Sequence, residues 1–353
     1  IMGAAAFLMA DYVQIPYSQI ALKAVLPALL YFTGIFISVH LEAKKMGLRG
    51  LPKEALPKIG PLLKKSYLLL PLVLLIYLVS TSQKSIQYAA ALSIVACIVV
   101  TLFSAETRIT PMRLLEALAA GGQGSITVAA ACGIAGIIAG TITMTGLANV
   151  IINAIVVLAG DSVLIALFLT MICCIVLGMG VPTTATYCIM AATCAPILVR
   201  MGVPMVAAHF FVFYFGIVAD LTPPVALAAY AGSAIAQANP MKTALEATKL
   251  AIGAFIVPYA FALSPSMLLI DTTVPEVILI TITSLVGIAS VSAAMEGYLF
   301  GRLSWFRRGL ALMGGLMMIY PGTMTDVIGL VLSGTVVALS MLDRKRQVAK
   351  MTA

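Results

Sequence analysis

The sequence predicts an all-α polytopic membrane protein, and three observations carry that expectation. Of 353 residues, 62% are hydrophobic and only 10% charged, where a soluble domain has roughly 45–50% apolar and about 25% charged residues. Apolar stretches recur along nearly the whole chain, as at Ile20 to Leu41 and Ser66 to Val79, and a helix needs about 20 such residues to cross a bilayer. The basic residues sit in short gaps between these runs, in the manner of cytoplasmic loops. The formal charge of +8 therefore reports sidedness in a lipid bilayer and no nucleic-acid partner.

Lysine and arginine then orient the chain. The segment 42–65 holds Lys44, Lys45, Arg49, Lys53, Lys58, Lys64 and Lys65 and is expected inside. From there about 66–82 runs outward to a turn with Lys84, and 87–104 returns to Arg108 and Arg113. TPMRLLEAL reads as a helix lying along the inner surface. Residues 124–147 cross outward to 148–162, which has no basic residue and fits the outer face.

Next comes an apolar run interrupted at Gly178-Met179-Gly180-Val181-Pro182-Thr183-Thr184 and closing at Arg200 and Gly202. Neither half is long enough to span comfortably, so a re-entrant hairpin is expected. A further run from Pro204 breaks at Asp220-Leu221-Thr222-Pro223-Pro224, where two prolines in series remove two backbone donors. Spans over about 250–270 and 276–296 follow. The last run, 309–342, is split at Pro321-Gly322 and ends in Arg344-Lys345-Arg346, which predicts two short helices with both ends inside.

One internal comparison adds topology. Met2 to Phe7, Ile15-Pro16 and Ile20 to Ala24 resemble Pro224 to Tyr230, Asn239-Pro240 and Ala244 to Ala247. The loop after the first copy faces outside and the loop after the second, with Lys242, faces inside. Similar elements of opposite orientation are the mark of an inverted-topology repeat. The expected organisation is 1–41, the end of a first broken helix and the next span; 42–123, the basic loop, two spans and the surface helix; 124–270, a second repeat with hairpin and broken helix; and 271–353, a C-terminal extension.

The breaks are where chemistry is expected. A broken helix at membrane depth is tolerated where its freed backbone groups line a cavity or bind an ion. Gly178 and Gly180 let the backbone turn, and Thr183, Thr184 and Thr186 add hydroxyl oxygens suited to a hard cation or a carboxylate. At the second break, Asp220, Thr222 and Pro223 join the ion-binding set. Helix N-termini at Thr184 and Val225 would point positive dipole ends at a substrate carboxylate. Asp220 has two readings of equal weight, a proton or cation site and a cap beside the prolines. His209 reads as a packed or interfacial histidine, Asn149 and Asn153 as a polar helix end. The six cysteines (Cys97, Cys132, Cys173, Cys174, Cys188, Cys194) lack zinc-site spacing and read as packing residues.

Enzyme chemistry finds no support. No P-loop glycine-lysine motif occurs, and His40-Leu41-Glu42 does not make the zinc-protease pattern. The alternatives are a transporter of another inverted-repeat family, an ATP-driven permease with a separate nucleotide-binding subunit, and, far behind, an intramembrane hydrolase.

GMGVPTTATY, AAHFFVFYFGIVADLTPPVALAAYAGSAIAQANPMKTA and the opening IMGAAAFLMADYVQIPY resemble the large membrane subunit of tripartite ATP-independent periplasmic (TRAP) transporters, and within it the TAXI branch. LEAKKMGLRGLP and EGYLFGRLSWFRRGLALMGGLMMIYPG extend the resemblance over essentially the whole chain. It implies an elevator-type secondary transporter of the bacterial inner membrane. Substrate would come from a periplasmic binding protein, the drive from a sodium or proton gradient without other cofactor, and the substrate would be a small organic acid, a dicarboxylate by analogy. A small permease subunit, separate or fused at the N-terminus, is the other implied partner. The family pattern has two hairpins and two broken "scoop" helices. The chain opens at Ile1 within the first scoop, so the expectation is a C-terminal portion that lacks the first hairpin.

Overall fold

The computed structural model describes residues 3, 5–48, 50, 52, 56, 59–81, 86–103 and 108–352. Of the sequence expectations, Met2, Ala4, Arg49, Lys53, Lys58 and Lys84 fall outside the described residues. The helices are α1 Ala5–Val13, α2 Tyr17–Lys45, α3 Ile59–Lys64, α4 Leu70–Ser80, α5 Ile86–Thr101, α6 Pro111–Met144, α7 Leu147–Ala159, α8 Val163–Gly178, α9 Thr183–Thr193, α10 Ala195–Arg200, α11 Met205–Val218, α12 Leu227–Ala236, α13 Pro240–Leu250, α14 Ile252–Leu263, α15 Val274–Glu296, α16 Trp305–Met317 and α17 Thr323–Thr352. Among the described residues there is no strand, only an isolated bridge between Tyr298 and Arg302. The fold is all-α, as composition required.

Four stretches are long and apolar enough to cross a membrane: Tyr17–Lys45, Pro240–Leu263, Val274–Glu296 and Thr323–Lys345. Their surfaces agree. Leu22, Leu29, Phe32 and Phe36 on α2 are each about three-fifths exposed or more, a load of apolar surface that a protein in water does not carry in one patch and that lipid accepts. The protein is a multi-pass membrane protein.

Contacts divide the chain into two compact units, one of residues 2–22 and 50–133, the other built mainly of 23–49 and 134–353. In the first, α4 and α5 pack against each other. At 11 and 16 residues both are shorter than the crossings expected over 66–82 and 87–104, because the 3-10 turn Ser66–Leu69 takes up the start of the first. The Phe7 and Tyr17 rings stack at 4.3 Å across the bend where Gln14 adopts φ 58. TPMRLLEAL is not a separate surface helix: α6 continues unbroken through Gly121 and Gly122 to Met144, since isolated glycines cost a helix only about 1 kcal/mol each. The boundary expected at 123 thus falls inside a helix.

In the second unit α2 and α14 cross where both carry glycine. A Cβ on Gly34 would stand 3.5 Å from Cα of Gly253 and 2.9 Å from Cγ2 of Ile288 on α15, the close approach that small residues permit between membrane helices. Their ends are tied reciprocally. Lys23, near the start of α2, donates to the carbonyls of Leu268 and Leu269 beyond the end of α14, while Glu42, near the end of α2, lies 3.8 Å from Lys249 before the start of α14. The crossing is therefore antiparallel, the orientation that the internal comparison anticipated. With Pro16 set on Pro240, Pro27 inside α2 falls on Ala251, where α13 gives way to α14. Each copy also ends its short first helix at a glutamine with positive φ, Gln14 at 58° and Gln237 at 50°.

The stretch 148–162 is mostly helix, α7, with Asn149 in its first turn and Asn153 one turn further on. At the C-terminus α15, α16 and α17 pack together. A Cβ on Gly287 would stand 2.8 Å from the Gly315 carbonyl. Arg307 pairs with Asp343 at 2.5 Å, and Arg308 donates to the carbonyls of Ala294 and Met295 at 2.7 and 3.1 Å. Of the two short helices expected after 309, only α16 is short, with 13 residues. The second, α17, runs for 30, because nothing after Thr323 interrupts it and charged residues from Asp343 onward extend it past its apolar part.

Candidate functional site

The site is built on α11, a helix so apolar that Phe210, Phe211 and Phe215 are fully buried. Edge-to-face contacts fix it, Phe211 against Tyr259 at 5.5 Å and Tyr214 against Phe261 at 5.6 Å, each contributing about 0.5–1.5 kcal/mol beyond area burial. His209 is buried on this helix and its Nδ1 shares a 2.8 Å hydrogen bond with Tyr187 Oη, in keeping with a packed histidine.

Against α11 lie the two arms of a hairpin. Ser162 caps α8, accepting from the Ile165 amide. α8 ends at Gly178; Met179 to Pro182 make the turn, and α9 and α10 run back. The return is closed by Ile197, which joins Ile152 and Ile155 of α7 in a cluster with Leu169 and Cys173, and by Arg200, whose Nη1 donates to Asn153 Oδ1 at 2.7 Å. The two arms thus begin and end beside α7. The Cys194 and Cys173 sulfurs sit 3.6 Å apart between the arms as free thiols, as expected of packing cysteines.

The hairpin tip packs on the residues flanking the scoop break. A Cβ on Gly178 would stand 3.0 Å from Ala219 Cβ and 3.2 Å from the Gly216 carbonyl. Gly180, at φ 71 where glycine is favoured, faces Val225 Cγ1 at 3.8 Å. Thr183 and Thr184 are the first two residues of α9 and are half-buried.

Thr186 behaves otherwise. It is 1% exposed, donates its hydroxyl to the Val181 carbonyl at 3.0 Å and presses its methyl on Gly216. It braces the tip.

At the break, Asp220, Thr222, Pro223 and Val225 are all half-buried. The Asp220 amide donates to Ile217 and its carbonyl accepts from the Ala228 amide at 3.2 Å. Its Oδ1 is buried with no hydrogen-bond partner. Thr222 donates its hydroxyl to the Val218 carbonyl at 2.8 Å, leaving only its lone pairs for a ligand. Pro223 and Pro224 are joined by a cis bond. The following helix starts at Leu227, two residues later than expected, because Ala226 adopts φ 35 and cannot be its first helical residue. Neither α9 nor α12 has a side-chain cap at its N-terminus; in α12 the Ala228 amide is taken by the Asp220 carbonyl.

Two residues that sequence reasoning passed over hold the break open. Tyr230 donates to the Pro224 carbonyl at 2.6 Å, and Thr248 on α13 donates to the Leu221 carbonyl at 3.0 Å. A tyrosine six residues past a proline pair was a usable signal. Thr248 had none, since 27 residues separate it from its partner.

Asp220 Oδ1 and the Thr222 hydroxyl are hard oxygen atoms, the kind that hard cations take as ligands.

Comparison with curated proteins and with solved structures returned no match. The family model described as "Tripartite ATP-independent periplasmic transporter, DctM component" matches residues 1–277, covering the hairpin, both scoop elements and α2 through α14. With the broken helices and their meeting point already in view, that match places the chain in the DctM family: it belongs to the large permease components of TRAP transporters.

Proposed function

We propose that the chain serves, in the bacterial inner membrane, as the TAXI-type permease of a binding-protein-dependent secondary transporter, importing small organic acids at the expense of an ion gradient. The observation that carries this reading is the meeting of the hairpin tip at Gly180 with the scoop break at Val225, beside the unpartnered Asp220 oxygen. Gly178, Gly180, Thr183, Asp220, Thr222 and Pro223 form the ion side of the junction. Thr184 and Val225, with the uncapped amides of α9 and α12, form the side that receives a substrate carboxylate. Thr186 belongs to its wall.

An oxyanion held by two helix N-termini next to a carboxylate needs a cation between them, which is the physical basis for co-transport. Sodium meets that need directly, and a proton on Asp220 meets it by removing the repulsion. A periplasmic binding protein delivers the substrate, and a small permease subunit, separate or fused, completes the complex. The test is uptake of labelled dicarboxylates in cells expressing the full gene product with its binding protein. Uptake should survive ATP depletion and collapse with an ionophore; the reverse pattern would indicate an ATP-driven permease.

A further inference from the structure

Where the end of α15 meets the start of α16 and the charged end of α17, aromatic and basic side chains share one surface. α16 opens with Trp305 and Phe306, which are 82% and 75% exposed, while Ala311, Gly314 and Gly315 of the same helix are buried. The indole is pinned in that exposed position. The Arg308 guanidinium lies 4.4 Å over its ring and is itself held by the Ala294 and Met295 carbonyls at the end of α15. Along α17 the apolar surface stops at the same end. Met341 and Leu342 are exposed apolar residues, Asp343 is drawn onto Arg307 of the first turn of α16 at 2.5 Å, and Arg344 and Lys345 follow, both exposed. The Arg307 pair thus carries two basic side chains to the end of the bundle where Trp305 and Phe306 stand. Arg302, also exposed, lies in the turn that leads into α16. Asp343 is spent on Arg307, and among the described residues Arg302, Arg344 and Lys345 have no ion-pair partner.

We propose that this end of α16 and α17 is a docking surface for an anionic phospholipid of the phosphatidylglycerol type. Its phosphate is held by Arg344 and Lys345 with Arg302 beside them, its ester region lies on the Trp305 indole, and its acyl chains run along Phe306 and the exposed Leu312, Met313 and Leu316 of α16. Three cations without a counter-charge favour an anionic headgroup over a zwitterionic one. An indole, apolar in body with one N–H, settles at the border between headgroup and hydrocarbon. A soluble oxyanion would use the cations but leave the aromatic pair and the apolar stripe in water. An apolar helix of a partner would cover the stripe but leave the cations unanswered. α16 and α17 lie past the residues that the family model covers, so the permease family as matched does not account for this surface.

Trp305 is the only tryptophan in the chain, so its fluorescence reads this surface directly. The full protein is placed in phosphatidylcholine nanodiscs into which phosphatidylglycerol or phosphatidylcholine, brominated near the headgroup end of the acyl chains, is titrated. Half-maximal quenching of Trp305 should require about fivefold less brominated phosphatidylglycerol than brominated phosphatidylcholine, the effect of one basic residue near a headgroup surface. Arg302→Gln, Arg344→Gln and Lys345→Gln combined should bring the two lipids within about twofold of each other and leave quenching by brominated phosphatidylcholine as in the wild type. Inorganic phosphate should relieve quenching no more than sodium chloride of equal ionic strength. Equal quenching by both lipids in the wild-type protein would reduce the surface to an ordinary aromatic border and overturn the proposal. A preference that survives the triple substitution would overturn it too, as would loss of quenching by both lipids in that variant, which would mean that the charges merely seat the helix. Specific relief by inorganic phosphate would make the surface a site for a free anion and equally refute the lipid.

Discussion

Gly178, the last residue of α8, packs so closely on Ala219 of the scoop that a methyl group in its place would stand 3.0 Å from the Ala219 Cβ. The same methyl would meet Met190 Cε at 3.1 Å and the Gly216 carbonyl at 3.2 Å. The hairpin therefore seats on the scoop through backbone, and a side chain at this point wedges the two apart.

Gly178→Ala should accordingly lose about 1–3 kcal/mol, the usual cost of overpacking, and uptake should fall with it. Gly180→Ala has room, its nearest neighbour being Val225 at 3.8 Å, but φ 71 is strained for alanine, at about 1–2 kcal/mol. Thermal unfolding in detergent reads both. Gly301→Ala, with open space around it, is the control and should stay within about 0.5 kcal/mol of wild type.

The second prediction concerns the ion. Asp220→Asn keeps the shape and any capping capacity but removes the charge, so uptake should lose its dependence on the coupling gradient while expression holds. Thr222→Val also takes the hydroxyl proton from the Val218 carbonyl, which predicts weaker uptake and a stability loss of about 0.5–1.5 kcal/mol. Both are measured under separate sodium and proton gradients. Wild-type rates with unchanged ion dependence in both variants would move the site elsewhere.

The crossing of α2 and α14 yields a third. Gly34→Val places a branched side chain where even a Cβ would lie 2.9 Å from Ile288 Cγ2, and should destabilise by about 1–3 kcal/mol or more. Lys23→Met deletes two hydrogen bonds to carbonyls at 3.2 and 3.1 Å, with a smaller expected loss of about 0.5–1.5 kcal/mol because the donor is only partly buried. If Tm in the Gly34→Val protein equals that of wild type, the helices do not cross there.

Topology is the fourth. The 42–65 loop and the tail from Arg344 to Lys350 should both be cytoplasmic, because basic residues are retained on that side. Single cysteines at Gly50 and Arg344, introduced into a chain otherwise free of cysteine, should resist an impermeant thiol reagent in intact cells and label after permeabilisation. Labelling of either from the periplasm contradicts the orientation.

The sequence by itself determined the membrane class and the places where the hairpin and scoop helices break, because these rest on local quantities: apolar content and Gly and Pro chemistry. It also pointed to the two breaks, Gly178 to Thr184 and Asp220 to Pro224, as lying at similar depth; that Gly180 and Val225 are the residues in contact came from the structure. Tertiary structure alone decided which hydroxyls remain for a ligand. Thr186 and Thr222 spend their protons on the Val181 and Val218 carbonyls, and that choice depends on how each broken end packs. It decided that α6 continues past Gly122 and that α17 is long, since a helix goes on until something stops it and packing offers no stop. The gathering of Glu42, Lys249 and Glu296 belongs there too. Charges far apart in the chain meet only when helices are stacked in register, and a single sequence carries no local trace of that register.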